Sequence, residues 1–388
     1  MELDDILYHL GENHDDWYQA IAPPIYQTSN FRFKTVADFR EKAKDEFKNH
    51  VYTRGNNPTV AILRKKVAAL EKTEDCLVFS SGSAAVAAAI LSRVSQGDHI
   101  ICVDKPYTWT RKLLNDWVSR MGVNVTFVDL KDAQELNKHI TDNTKVIYLE
   151  SPNSMTFELQ DLSAISAIAR VKGIVTIIDN SSCSPLFQQP AVHGIDLIVH
   201  SATKYLNGHS DVVAGVVCGS EEHIRTIFSH EYMMLGAIIS PYEAAMILRG
   251  MRTLPLRLKR SDTSALKIAT ELSGTKGIRS VIHPMLPSFP QADISIKQMS
   301  GTGGLFSILL DTDDIVKCEQ FADALTKFRM AASWGGYESL IMPMCVFNSY
   351  LGNTQPLYPT NLVRLYIGLE DPEYLLADII QALRFVID

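Results

Sequence analysis

The sequence predicts an α/β protein built on a mostly parallel sheet with helices on both faces. Three observations carry this. Short apolar runs over 76–79, 99–103, 123–128, 145–149, 175–178, 195–199 and 212–218 read as brief buried strands. Stretches with helical spacing separate them, which is the pattern of a crossover-connected sheet. The composition, 46% hydrophobic and 21% charged over 388 residues, is that of an ordinary globular chain with room for more than one domain.

Taken in order, the first 50 or so residues show little periodicity and read as an arm with one short helix near 35–44. The turn-like Asn56-Asn57-Pro58 then opens a helix on which Val60, Leu63, Val67 and Leu70 recur at helical spacing. An alanine-rich helix starts at about Ser83, after the strand over 76–79. A helix over 161–172 is ended by Gly173. Residues 241–273 are largely helical, shorter strands follow at 304–310 and 362–367, and a last helix has Asp371 as its cap and Pro372 at its first position. These shifts divide the chain into an arm (1–50), a large domain (51–245) and a smaller C-terminal α/β domain (246–388).

Several function classes find no support. With 37 basic against 44 acidic residues the formal charge is −7, so no basic field invites nucleic acid. The longest apolar run, 84–91, falls far short of the ~20 residues that span a bilayer. The opening MELDDILYHLGENHDD is acidic where a secretion signal is basic and then apolar. Cys76, Cys102, Cys183, Cys218, Cys318 and Cys345 are scattered without a CxxC pair, as expected of reduced, buried thiols in a cytoplasmic protein with no metal site. His193, His200 and His209 lack ligand spacing and read as structural. The GTGG run at 301–304 precedes a strand, so it is not a dinucleotide-binding turn.

In a parallel sheet, chemistry gathers where strands end, so polar residues closing apolar runs are the candidates. Ser80-Ser81-Gly82-Ser83 is either an ordinary strand-to-helix turn or an anion site at a helix N-terminus. Asp179 follows a buried strand and is either a cap, a structural ion pair or a site carboxylate. Ser201-Ala202-Thr203-Lys204 joins two hydroxyls to an amine, which is either a surface lysine or a nucleophile beside an anion. One ligand would use all three: pyridoxal 5′-phosphate (PLP), which needs a phosphate cradle, a carboxylate for its ring nitrogen and a lysine for its aldehyde.

The segment SATKYLNGHSDVVAGVV (201–217) resembles the lysine signature of the Cys/Met-metabolism PLP enzymes. So do APPIYQTSNFRF (22–33), YTRGNNPT (52–59), SSGSAA (80–85), ESPNS (150–154), IIDNS (177–181), LRGMRTLPLR (248–257), SWGGYESL (333–340) and VRLYIGLED (363–371), in that order along nearly the whole chain. The resemblance implies the PLP-dependent transferase fold of the aspartate-aminotransferase type. It implies that Lys204 holds the cofactor as a Schiff base and shuttles a proton, and that Asp179 pairs with the ring nitrogen. Gly82, Ser83, Ser201 and Thr203 would bind the phosphate, although the family has methionine where this chain has Ser83. Tyr107 would stack on the ring, Arg364 with Ser333 would grip the substrate carboxylate, and Tyr52 and Arg54 would reach a neighbouring subunit's phosphate within a homotetramer.

Within the family, Ser154 and Trp334 together with the SWGGYESL block resemble bacterial cystathionine β-lyase, whereas γ-type enzymes read ESPxN and SLGG. Residues 341–353 also lack the histidine-bearing stretch often found in γ-lyases. Ala332 departs from the β-lyase pattern, which has tyrosine there. The expected reaction is β-elimination from a sulfur amino acid. γ-Lyase, γ-synthase or methionine γ-lyase activity is the alternative, and a noncatalytic PLP-binding relic is a third reading that the joint presence of Lys204, Asp179, Tyr107 and Arg364 opposes.

Overall fold

In a computed structural model, which describes residues 1–347 and 357–387, the chain forms two sheets joined by helices. Residues 348–353 of the 341–353 stretch lie outside the described residues.

The N-terminal residues are more structured than their weak periodicity predicts. Besides α2 (Val36–Lys42), the helix expected near 35–44, a helix α1 (Leu3–Tyr8) forms, and Ile6, Leu7 and Trp17 are buried against the main core. Six residues are too few to show a helical repeat, so packing and not pattern makes α1. Helix α3 (Pro58–Leu70) begins as the sequence indicates, with the Asn57 side chain accepting from Thr59 N and Pro58 in the first turn.

A seven-stranded sheet follows: β1 (Asp75–Phe79), β2 (His99–Val103), β3 (Asn124–Val128), β4 (Thr144–Glu150), β5 (Val175–Asp179), β6 (Leu197–Ser201) and β7 (Gly215–Gly219). Its order is β1-β7-β6-β5-β4-β2-β3. Every pairing is parallel except those of β7, which runs antiparallel to both β1 and β6. All five residues of β2 and of β7 are buried, as expected of strands covered on both faces. With β7 reversed, β1 and β6 still point the same way. The carboxyl ends of β1, β2, β4, β5 and β6 therefore open on one edge.

A second, five-stranded sheet holds β8 (Ile278–Ile282), β9 (Leu305–Leu310), β10 (Arg329–Met330), β11 (Leu340–Pro343) and β12 (Leu362–Tyr366), in the order β10-β11-β12-β9-β8. It is antiparallel apart from the β10–β11 pair, and a separate core including Phe306, Ile308, Phe321, Leu365 and Ile379 lies against it. The helix Pro372–Ala382 is capped by Asp371, as the sequence indicates. Trp334, Leu340 and Tyr366 leave this second core and join the first. The C-terminal sheet therefore lies against the edge where the strands of the larger sheet end.

Candidate active site

Helix α4 (Gly82–Leu91) starts directly after β1, with the Ser81 side chain accepting from Ala84 N at 3.1 Å. The amides of Gly82 and Ser83 have no acceptor among the described residues, so they are the open donors of the helix N-terminus. The turn is drawn in tightly: a Cβ on Gly215 would meet Ser81 O at 2.2 Å, and one on Gly82 would meet Ser201 Cβ at 3.0 Å. Glycine at both positions lets β7 and β6 close against this turn. Ser201 ends β6 beside it, whereas the Thr203 hydroxyl is held by Ala214, donating to its carbonyl at 3.2 Å and accepting from its amide at 3.0 Å.

Asp179 closes β5. Its Oδ1 accepts from Ser181 N at 2.9 Å and Ser181 Oγ at 2.6 Å, and its Oδ2 has no hydrogen-bond partner among the described residues. Beneath it runs a buried polar network. Glu71 Oε1 accepts from Asn180 Nδ2 at 2.9 Å and contacts His200, and Gln188 Nε2 donates to Ser151 O at 2.6 Å and to Asn180 Oδ1 at 3.0 Å. This network ties the ends of β4, β5 and β6 to α3. His200 is structural here, as its sequence context indicates.

Lys204 lies three residues beyond β6. Its Nζ donates to Ser333 Oγ and sits 5.2 Å from the centre of the Trp334 ring. Burial, aided by the positive charge of Arg364 and opposed by Asp179, lowers its pKa from 10.5 to about 8. The 333–335 loop presses closely on it: Gly335 adopts φ +89°, and a Cβ there would meet the Lys204 backbone at 2.9 Å. Ser333, not a glycine, also has φ 79°. That uncommon backbone turns its carbonyl toward Arg364 while its hydroxyl meets Lys204. Tyr205 packs at a tilt against Trp334, ring centres 5.3 Å apart, and its hydroxyl accepts from Gly304 N at 2.8 Å, which anchors the lysine segment to the second sheet.

Arg364, on β12, is buried, and burial lowers its pKa to about 10. Its Nη1 donates to Ser154 O at 3.3 Å and its Nη2 to Ser333 O at 3.1 Å. The sulfurs of Met155 and Met342 complete its surroundings at 3.6 Å each. Among the described residues no carboxylate is within ion-pair distance of it and Glu150 acts on it only from farther off, so the guanidinium is a buried cation with no carboxylate in contact.

Tyr107 caps the helix α5 (Thr108–Lys112), and its phenol is raised above 10 by burial and by the charges of Asp179 and Glu150. Tyr52 and Arg54 are exposed, the guanidinium 5.5 Å from the Tyr52 ring, and neither hydrogen-bonds to the residues above. Ala332 is exposed beside Ser333.

The structure therefore brings Gly82, Ser83, Tyr107, Ser154, Asp179, Ser201, Lys204, Ser333, Trp334 and Arg364 to one edge, with Thr203 adjacent but engaged elsewhere. Glu150 is the residue the sequence reading passed over. It ends β4 as Asp179 ends β5, the two are register partners, and it is buried; burial and Asp179 push its carboxyl upward, while the amides of Tyr107 and Ser154 that donate to it hold it toward the ionised form. The same cue that singles out Asp179, a carboxylate closing an apolar run, marks Glu150 as well.

The residues fit PLP on three counts. Open amides face outward at the start of α4, Asp179 keeps one oxygen free, and Lys204 has a lowered pKa between them. Among the described residues no cluster of side chains is suited to a metal ion, no helix is long and apolar enough to cross a membrane, and all six cysteines are free and buried.

Comparison with known proteins agrees. The family model described as Cys/Met metabolism PLP-dependent enzyme matches residues 4–384. An L-methionine gamma-lyase of Treponema denticola is 38% identical, covering 94% of this chain and 93% of its own length. A cystathionine beta-lyase of Lactococcus lactis is 36% identical, covering 97% of both chains. The crystal structure of metB from Corynebacterium glutamicum superposes with a TM-score of 0.92 at 32% identity, over 99% of this chain and 98% of that one. With the family model spanning nearly the whole chain and these relatives aligned end to end, the protein belongs to the Cys/Met metabolism PLP-dependent enzymes.

Proposed function

We propose that this enzyme is a carbon–sulfur lyase of the cystathionine β-lyase type, converting L-cystathionine to homocysteine, pyruvate and ammonia. The observation that carries the reading is the buried, uncompensated Arg364 opening beside Lys204: a fixed site for an amino acid's carboxylate next to an amine able to take its α-proton. Bound PLP supplies the electron sink for that deprotonation.

Each residue then has a task. Lys204 would hold the cofactor covalently and, when free, would take the proton from Cα. Ser333 and Trp334 hold the lysine Nζ in place. Asp179 would offer its free oxygen to the cofactor's ring nitrogen, and Tyr107 would pack on its ring. Gly82, Ser83 and Ser201 would hold the phosphate, with Thr203 joining them if its hydroxyl turns from Ala214. Arg364 binds the α-carboxylate in a bidentate pair. The Cβ–S bond breaks once the α-proton has gone to Lys204, the departing thiolate takes that proton from Lys204, and the released three-carbon enamine is hydrolysed by water to pyruvate and ammonia.

Ser154 and Trp334 favour β- over γ-elimination, since this pair accompanies the β-lyase pattern. Identity of 38% to a methionine gamma-lyase supports the second reading, γ-elimination, which needs a further proton removed from Cβ. Product analysis with purified, PLP-loaded protein and L-cystathionine separates them. Pyruvate with homocysteine is expected; 2-oxobutyrate with cysteine overturns the β-lyase assignment and leaves the site standing.

We further propose a cytoplasmic homotetramer in which exposed Tyr52 and Arg54 complete a neighbouring subunit's phosphate site. The division proposed at residue 245 cuts the helix Pro241–Met251, whose Ala244, Ile247 and Met251 are buried in the core of the larger sheet.

A further inference from the structure

Glu150 makes two hydrogen bonds, and both go to backbone amides of the site. Its Oε2 accepts from Tyr107 N at 2.5 Å, and its Oε1 accepts from Ser154 N at 3.1 Å. Each amide belongs to a residue whose other atoms face the ligand space. Tyr107 stands at the head of the helix Thr108–Lys112, and the Ser154 carbonyl accepts from Arg364 Nη1 at 3.3 Å. Glu150 itself is only 4% exposed and is anchored at the end of β4, in register with Asp179. One rigid carboxylate thus sets the position of a loop on either side of it.

We propose that Glu150 is a positioning residue that couples the cofactor face to the carboxylate site, holding Tyr107 through one oxygen and, through Ser154, the guanidinium of Arg364 by the other. It touches neither ligand. Its effect passes through the two amides, and the part that reaches substrate is the aim of Arg364. This rests on the reading of Arg364 as the carboxylate site. A carboxylate is required because its two acceptor oxygens serve two N–H donors; an amide has one acceptor and would turn its NH2 against the other N–H.

The test compares two ligands that differ only in the carboxylate, L-alanine and ethylamine, titrated into the PLP-loaded enzyme while the cofactor absorbance is followed. Wild type should bind L-alanine more tightly. In Glu150→Gln the apparent dissociation constant for L-alanine should rise by about tenfold, the scale of one lost hydrogen bond to a charged group, while that for ethylamine stays nearly constant. Equal weakening of both ligands would show general loosening and overturn the proposal, as would unchanged discrimination. If wild type itself does not distinguish the two, the reading of Arg364 fails first. Glu150→Asp, which keeps the charge but is one methylene short, should behave like the glutamine variant.

Should the variants fail to fold, amide hydrogen exchange of the wild-type protein decides. The Tyr107 and Ser154 amides should be protected beyond their exposed neighbours, and rapid exchange at both overturns the assignment.

Discussion

Two buried cations in this protein are treated in opposite ways. Lys66, only 1% exposed, donates to Ile6 O at 3.0 Å and Leu7 O at 2.9 Å and forms an ion pair with the Glu12 carboxylate at 3.1 Å. Its charge is matched within the fold, so nothing in it calls for a ligand. Arg364, at 6% exposure, reaches two carbonyls and two thioethers and no carboxylate among the described residues. The desolvation cost is met at Lys66 by the fold and left unmet at Arg364. Burial alone does not mark a binding site: Arg257 is also buried and bonded only to carbonyls and a hydroxyl, and what sets Arg364 apart is that, with no carboxylate in contact, it lies at the edge that holds Lys204 and Ser333.

The largest effect should come from removing the unmet charge. Two charge-assisted hydrogen bonds to a substrate carboxylate, at about 1.5–3 kcal/mol each, correspond to a loss of about 10²–10⁴ in kcat/KM for Arg364→Ala. Arg364→Lys keeps the charge but not the fork and should recover only part of it. Steady-state kinetics with the preferred sulfur amino acid measure this, and a change under about threefold would sink the carboxylate assignment. The fold should tolerate either variant, since relieving an uncompensated charge does not break a pair.

At Lys66 the expectation reverses. Lys66→Met leaves Glu12 buried with only Arg252, 3.7 Å away, as a counter-charge, and should cost about 3–5 kcal/mol of stability with catalysis in the surviving folded protein unchanged. Adding Glu12→Leu should restore much of that loss, because an apolar pair replaces the buried ion pair. Urea midpoints of the two variants give the comparison. If the double variant is no more stable than the single one, the pair contributes more than its charges.

This contrast also explains what was legible beforehand. Lys204, Asp179 and the 80–83 turn close apolar runs, and such ends are visible in one dimension. So are caps such as Asn57 and Asp371, whose side-chain chemistry acts within three residues. The missing partner of Arg364 is invisible in sequence, since it depends on which of 44 acidic residues folding brings near. Helix α1 went unseen because it is held by Lys66, some 60 positions away. In the second sheet, β8, β10 and β11 were missed: β8 is mostly half-buried, β10 has two exposed residues and β11 only four residues in all. Neither β8 nor β10 offers the buried apolar run that betrays most strands of the larger sheet, and the apolar run of β11 is short and ends in proline.

The smallest effect tests whether the unmet charge is felt by its neighbour. Burial first, and then Arg364, lowers Lys204 from 10.5 to about 8. The neutral amine is the form that captures the aldehyde of PLP. Capture by apoprotein, followed by imine absorbance, should therefore rise with pH through a midpoint near 8 and not near 10.5. A positive neighbour disfavours a protonated lysine, so Arg364→Met should move that midpoint upward. The shift should be modest, because burial is the larger cause and remains. A downward or absent shift would mean that the guanidinium is screened from Lys204. The cation would then act on the substrate alone, and its proximity to the lysine would matter only for placing Cα.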